Sequence, residues 1–242
     1  MHVLKDKGVG VAMAVVALMW MFCGLAVASG TGAAMTAEEA LQKLMAGNKN
    51  YVSDKLTNQV QSNAAARIAL ATSQKPYAII LTCSDSRVPP ELIFDKGLGE
   101  IFVIRVAGNV PDPIILGSIE YAAEHLGSPL MMVLGHERCG AVTAAVDAGD
   151  KSTGSPNIDA IVKEIKPSVA QAAHNCAVCK DDKNCAETHK KGFVECVIEA
   201  NAKAVADDLT KGSAILKHLV EAKKLTIVAA KYDLDDGTVS LL

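Results

Sequence analysis

The chain has few aromatic residues: 4% of its 242 positions, with four Tyr, four Phe and a single Trp. Its core must therefore come mainly from Ala, Val, Ile and Leu, and a composition that is 50% hydrophobic supplies enough of them. It also lacks a basic stretch. Lys and Arg number 24 against 27 Asp and Glu, a net charge of −3, which leaves no electrostatic footprint for nucleic acid. Internal repeats, low-complexity tracts and a second-domain boundary are absent as well, and the length suits one domain.

What is present begins with an apolar N-terminus. His2, Lys5 and Lys7 precede an almost purely apolar run from Val9 to Val27, and Ala26-Val27-Ala28 is a small-residue cleavage pattern. Residues 1–28 thus read as a secretory signal peptide, with a mature chain starting near Ser29 in the periplasm or outside the cell and free of the membrane. An uncleaved anchor is the alternative, since the run approaches the length of a membrane span. Trp20 and Cys23 fall within this leader. Of the six remaining cysteines, Cys176, Cys179, Cys185 and Cys196 crowd into one stretch, which in an oxidising compartment favours disulfides in any of three pairings. A structural metal site and a redox Cys-x-x-Cys are the competing readings.

The periodicity predicts an α/β fold. Thr36-Ala37-Glu38-Glu39 is a capping box opening a helix with Ala40, Leu41, Leu44 and Met45 on one face, ended by Gly47-Asn48. Residues 52–63 are polar and irregular, and a second helix covers 64–72. Short apolar runs at 77–82, 101–105, 130–135 and 225–230 read as buried strands, separated by helical patterns at 115–125, 140–148, 158–173, 197–210 and 213–223. Asp236-Gly237 turns the chain into an edge strand at 238–242. The expected architecture is a mainly parallel central β-sheet flanked by helices, with an N-terminal helical arm and a C-terminal edge strand. Ligands of such sheets bind beyond the carboxyl ends of the strands. Cys83 follows the first strand and His136 the third, so both fall on that edge.

The run Cys83-Ser84-Asp85-Ser86-Arg87 and the run His136-Glu137-Arg138-Cys139 together offer two thiols, an imidazole, and a carboxylate beside a guanidinium. Two thiolates and one imidazole form a three-ligand zinc set with a fourth position left for water or substrate, and thiolates favour zinc over hard cations. Two blander readings compete: buried cysteines with a hydrogen-bonded histidine, or a Cys83–Cys139 disulfide. For Asp85 and Arg87 the bland reading is an ordinary loop salt bridge.

The segments Cys83-Ser-Asp-Ser-Arg-Val-Pro, Arg105-Val-Ala-Gly-Asn109 and Gly135-His-Glu-Arg-Cys-Gly140, in this order and spacing, resemble the β-class carbonic anhydrase family. The resemblance extends from Ala46-Gly-Asn-Lys-Asn50 to Ile227-Val-Ala-Ala-Lys-Tyr-Asp-Leu234. It implies that Cys83, His136 and Cys139 hold one Zn2+ per subunit and that Asp85 and Arg87 form a catalytic dyad. Asp85 would itself bind zinc in a closed form and pair with Arg87 in an open one. The implied reaction is the lyase chemistry of carbon dioxide and bicarbonate, by attack of zinc-bound hydroxide, in a homodimer or higher homo-oligomer. The family also places a glutamine near the substrate. Gln59 and Gln61 lie in that region, neither matching the family spacing, and Gln61 is the candidate. Some members carry an inhibitory bicarbonate site on a Trp where this chain has Ile80, so no such site is expected. The stretch 174–196 departs from the family and reads as a cysteine-rich insertion, an exposed loop stapled by two disulfides.

Three rivals remain at this point. A thiol phosphatase using Cys83 and Arg87 needs Cys-x5-Arg, and the spacing here is Cys-x3-Arg. A non-catalytic zinc-binding protein has no use for the Asp85–Arg87 pair. A carbon disulfide or carbonyl sulfide hydrolase on the same scaffold shares the ligands and differs in pocket access.

Overall fold

The computed structural model describes residues 35–179 and 185–242. The leader reading over 1–28, with Trp20 and Cys23, lies outside these residues. Five strands form one sheet in the order β2-β1-β3-β4-β5: β1 (Ala78–Thr82), β2 (Ile101–Arg105), β3 (Leu130–His136), β4 (Thr226–Tyr232) and β5 (Val239–Leu241). The first four run parallel, and β5 is antiparallel on β4 at the edge. The central strands β1 and β3 are buried throughout, as continuous apolar runs covered on both faces require. Alternation then divides their side chains. Ala78, Ile80, Leu130, Met132 and Leu134 face one apolar cluster, while Ile79, Leu81, Met131 and Val133 face another.

Ten helices flank the sheet among the described residues. They are α1 (Ala37–Val52), α2 (Asn58–Gln61), α3 (Ala64–Leu70), α4 (Pro90–Ile93), α5 (Pro113–Glu120), α6 (Gly140–Ala148), α7 (Pro156–Asn175), α8 (Cys185–Thr188), α9 (Lys190–Gly212) and α10 (Ala214–Glu221). The capping box is formed: Glu39 N–H donates to the Thr36 hydroxyl at 3.2 Å, and Thr36 N–H to the Glu39 carboxylate at 2.8 Å. Among the described residues no helix is long and apolar enough to cross a membrane.

Four expectations change, one being that the stretch 52–63, read as irregular, contains helix α2. Helix α1 does not end at Gly47-Asn48 but runs through them to Val52. Gly47 is there for contact: a Cβ at this position would overlap the Phe94 carbonyl. Asn48 is buried, donates to the carbonyls of Ile93 (3.2 Å) and Gly237 (2.8 Å), and accepts from Val239 N–H at 3.0 Å, so it docks the arm on both α4 and β5. Helix α9 starts at Lys190, seven residues before the expected Val197, because Phe193, Val194, Val197, Ile198 and Asn201 continue one buried face. Among the described residues, the segment 174–196 is therefore partly helical where a loop was expected, although many of its side chains are exposed. Its first two residues end α7, its last seven open α9, and Cys185–Thr188 form α8, with Cys176, Cys179 and Cys185 buried in the core beside them. Finally, the helix expected over 115–125 starts earlier, behind Pro113, and its last turn, Tyr121–His125, widens to a π-helix.

Candidate metal centre

Parallel pairing brings the two sequence motifs together. Thr82 at the end of β1 pairs with Leu134 of β3, so the chain leaving β1 at Cys83 and the last residue of β3, His136, emerge side by side. The turn Glu137-Arg138 then delivers Cys139 to the N-terminus of α6. The Sγ atoms of Cys83 and Cys139 lie 4.0 Å apart, and the ligand atoms of Cys83, His136 and Cys139 all fall within 4.8 Å of one another. All three side chains are buried, His136 completely.

The donor set fits zinc. His136 Nδ1–H donates to the Glu137 carbonyl at 2.9 Å, which fixes the tautomer and leaves Nε2 with its lone pair free. That Nε2 is buried without a hydrogen-bond partner, in the same small space as two sulfurs. An orphaned imidazole nitrogen is costly in a protein interior unless something coordinates it. A soft, thiolate-accepting cation does so. The sulfurs are poised for this. The hydrogen bond from Cys139, with help from the N–H groups of Gly108 and Asp85, pushes the Cys83 thiol down to about 4 against the effect of burial. The same bond, together with burial, pushes Cys139 up.

Asp85 stands at the mouth of this cluster. Its carboxylate accepts from Arg87 Nε (2.9 Å) and Nη2 (2.7 Å) as a bidentate pair, and from Arg87 N–H at 2.9 Å. These bonds hold the Asp85 carboxyl well below the usual carboxylate range. Its Oδ2 lies 4.0 Å from His136 Nε2. Both carboxylate oxygens are thus held by Arg87. Gln61 is elsewhere engaged: it is exposed, and its amide donates to the Thr57 hydroxyl at 3.0 Å.

Several residues without an assigned role in the sequence build this site. Arg105, at the end of β2, donates through Nε to the Cys83 carbonyl at 3.1 Å and through Nη2 to the Asp85 carbonyl at 2.6 Å, so it fixes the loop that carries both. Gly108, at φ 74°, donates its N–H to Cys83 Sγ at 3.4 Å, and a Cβ there would stand 2.8 Å from Ile165. Asn201 holds the Gly108 carbonyl at 3.0 Å. Arg105 carried a signal, a charged residue closing an apolar strand on the ligand-binding edge. Asn201 carried none, because nothing local marks a buried asparagine in a long helix.

The comparisons agree with this geometry. The family model described as carbonic anhydrase matches residues 78–239. "Carbonic anhydrase 2" of Mycobacterium tuberculosis is 37% identical over 203 residues, covering 84% of this chain and 91% of that protein. The solved β-carbonic anhydrase CcaA is 22% identical with a TM-score of 0.66, over 83% of this chain and 94% of that one. One of two tetrameric β-carbonic anhydrases from Sordaria macrospora gives 22% and 0.64, over 84% and 96%. The fold is thus that of these structures. The sequence match extends across both cysteine motifs, and the chain belongs to the β-class carbonic anhydrase family.

Proposed function

We propose that this carbonic anhydrase hydrates carbon dioxide reversibly to bicarbonate and a proton with one zinc ion per subunit, held by Cys83, His136 and Cys139. The observation that carries the reading is the buried, unpartnered Nε2 of His136 facing two sulfurs 4.0 Å apart. Zinc bound there supplies Lewis acidity that brings the pKa of water to about 7.

The protein's own groups supply the rest. Arg87 keeps Asp85 ionised, so Asp85 accepts a hydrogen bond and does not donate one. A carboxylate 4.0 Å from His136 Nε2 is placed to take that hydrogen bond from the reacting water and to aim its remaining lone pair at the carbon of carbon dioxide. Water adds to carbon dioxide, one proton leaves to buffer, and bicarbonate remains. Arg105 and Gly108 hold Cys83 and Asp85 in register while this occurs. Gln61 is kept only as a substrate-side candidate.

The same reading extends to the whole chain. Residues 1–28 form a cleaved export signal and 29–242 one β-carbonic anhydrase-like domain, acting in the periplasm or outside the cell; two disulfides among the described residues support an oxidising destination. A homodimer or larger homo-oligomer is favoured by the open edge of β2 and by Val60 and Ile68, each at least 75% exposed. The test is to measure zinc per purified chain and to follow carbon dioxide hydration by stopped flow across pH. Near one zinc per chain, with turnover rising through a near-neutral or alkaline pKa, is expected. Zinc without turnover at any pH would sink the catalytic reading.

A further inference from the structure

Arg138 sits between two of the proposed metal ligands and has a backbone that ordinary side chains avoid, with φ at 51°. Something must hold it there. Its N–H donates to Glu195 Oε1 at 2.9 Å, and its guanidinium makes a bidentate pair with Asp235 at 2.9 and 3.0 Å. The guanidinium pair is on the surface. The Glu195 contact is deeper: Oε2 is buried with no partner, so the carboxyl group is committed to this place by the helix that bears it.

That helix is α9, and its first turns fall within 174–196, the stretch the sequence reading sets apart from the family. Cys196, the next residue, is disulfide-bonded to Cys176 at the end of α7. Cys176, Cys179, Cys185, Phe193, Val194 and Val197 belong to the same apolar cluster as Cys83 and Cys139. Lys190 also pairs with Asp147 of α6, the helix that starts at Cys139, at 2.6 Å. The cysteine-rich segment therefore packs against the metal turn, and Glu195 hydrogen-bonds it directly.

We propose that Glu195, held in place by the Cys176–Cys196 disulfide, is a positioning residue for the metal centre. It fixes Arg138 in its strained conformation and so keeps His136 and Cys139 converged on one ion. This rests on the zinc reading above. Glu195 touches neither metal nor substrate, and its oxygen accepts the Arg138 N–H whether or not the carboxyl group is ionised. The cysteine-rich segment becomes a brace whose effect is to retain metal.

The test follows zinc release from the holoprotein into a chromogenic chelator, well below the unfolding temperature of every variant. Glu195→Ala and the double variant Cys176→Ser/Cys196→Ser are expected to release zinc about 10-fold faster or more, the scale of losing a group that orients a metal ligand. Glu195→Gln retains an acceptor oxygen and is expected to restore release to within a few-fold of wild type. Cys179→Ser/Cys185→Ser removes the other disulfide, which closes a short local loop, and is expected to leave the rate nearly unchanged. Wild-type release from Glu195→Ala or from Cys176→Ser/Cys196→Ser overturns the brace. So does a Glu195→Gln variant as fast as Glu195→Ala, or equal acceleration by both disulfide deletions, since each would mean general loosening. A wild-type protein that takes up no zinc refutes the underlying zinc reading instead, a distinct result.

Discussion

Two sets of cysteines share one apolar cluster in this protein and have opposite chemistry. Cys83 and Cys139 are free thiols 4.0 Å apart, whereas Cys176–Cys196 and Cys179–Cys185 are disulfides. Burial does not separate them, because five of the six are buried. What separates them is what else converges. The free pair comes from the ends of adjacent parallel strands, where an unpartnered imidazole nitrogen and the N–H of Gly108 point at the sulfurs. The crosslinked pairs tie the end of α7 to the second turn of α9, and a short turn to the start of α8. A cysteine is suited to a metal where the fold supplies groups that stabilise thiolate, and forms a crosslink where it supplies another sulfur at bonding distance.

The strongest way to break this contrast is Cys139→Ser. A hydroxyl is a poor substitute for thiolate toward zinc, so zinc content should fall to background. Turnover should drop at least about a thousandfold, since the metal supplies most of the acceleration; metal analysis and stopped-flow hydration check both. Labelling the metal-stripped, otherwise native protein with iodoacetamide gives the next largest effect. Cys83 alone should react. Its thiol is pushed down to about 4, so the thiolate persists as pH falls from 8 to 5 and is lost only below about 4. An ordinary thiol, at pKa about 8.5, loses about tenfold in rate per unit over that range, so at pH 6 Cys83 should lead by about a hundredfold. Peptide mapping would expose the opposite outcome, label on Cys139 or a rate that collapses with pH.

The disulfides should register in stability instead. Their bridged residues are separated by 20 and 6 positions. Loop-closure entropy then assigns about 3 kcal/mol to Cys176–Cys196 and about 2 kcal/mol to Cys179–Cys185. Urea unfolding of the two Ser/Ser variants should show that order. The reverse order would mean that native contacts, not the unfolded chain, set their contribution.

How far the sequence led differs between the same regions. Apolar runs such as Ala78–Thr82 and Leu130–His136 have few alternatives, and two strands side by side place Cys83 and His136 on one edge, so both the fold and the convergence of Cys83, His136 and Cys139 could be anticipated. Gly47 and Asn48 misled because locally they stop helices. Their reason for being inside α1 lies at Phe94 and Val239, far along the chain. The start of α9 was missed because cysteines suggested a loop, while burial of Phe193 and Val194 depends on α7 being opposite. Glu195 had no local signature at all: its partner, Arg138, is 57 positions away.

The smallest predicted effect lies behind the free pair and marks how far the site reaches. Ser168 Oγ donates to Asn201 Oδ1 at 3.3 Å, Asn201 Nδ2 donates to the Gly108 carbonyl at 3.0 Å, and Gly108 N–H donates to Cys83 Sγ at 3.4 Å. The chain of contacts is buried, and its outermost link is a long one between neutral groups. Ser168→Ala removes one long neutral bond, a change worth about 1 kcal/mol. Asn201 keeps its bond to Gly108, so the N–H aimed at Cys83 should not move. The urea midpoint should therefore fall slightly while zinc content and turnover stay at wild-type levels. If zinc retention falls as well, Asn201 is being oriented by Ser168, and the thiolate environment that distinguishes Cys83 from the crosslinked cysteines extends one residue deeper, into α7.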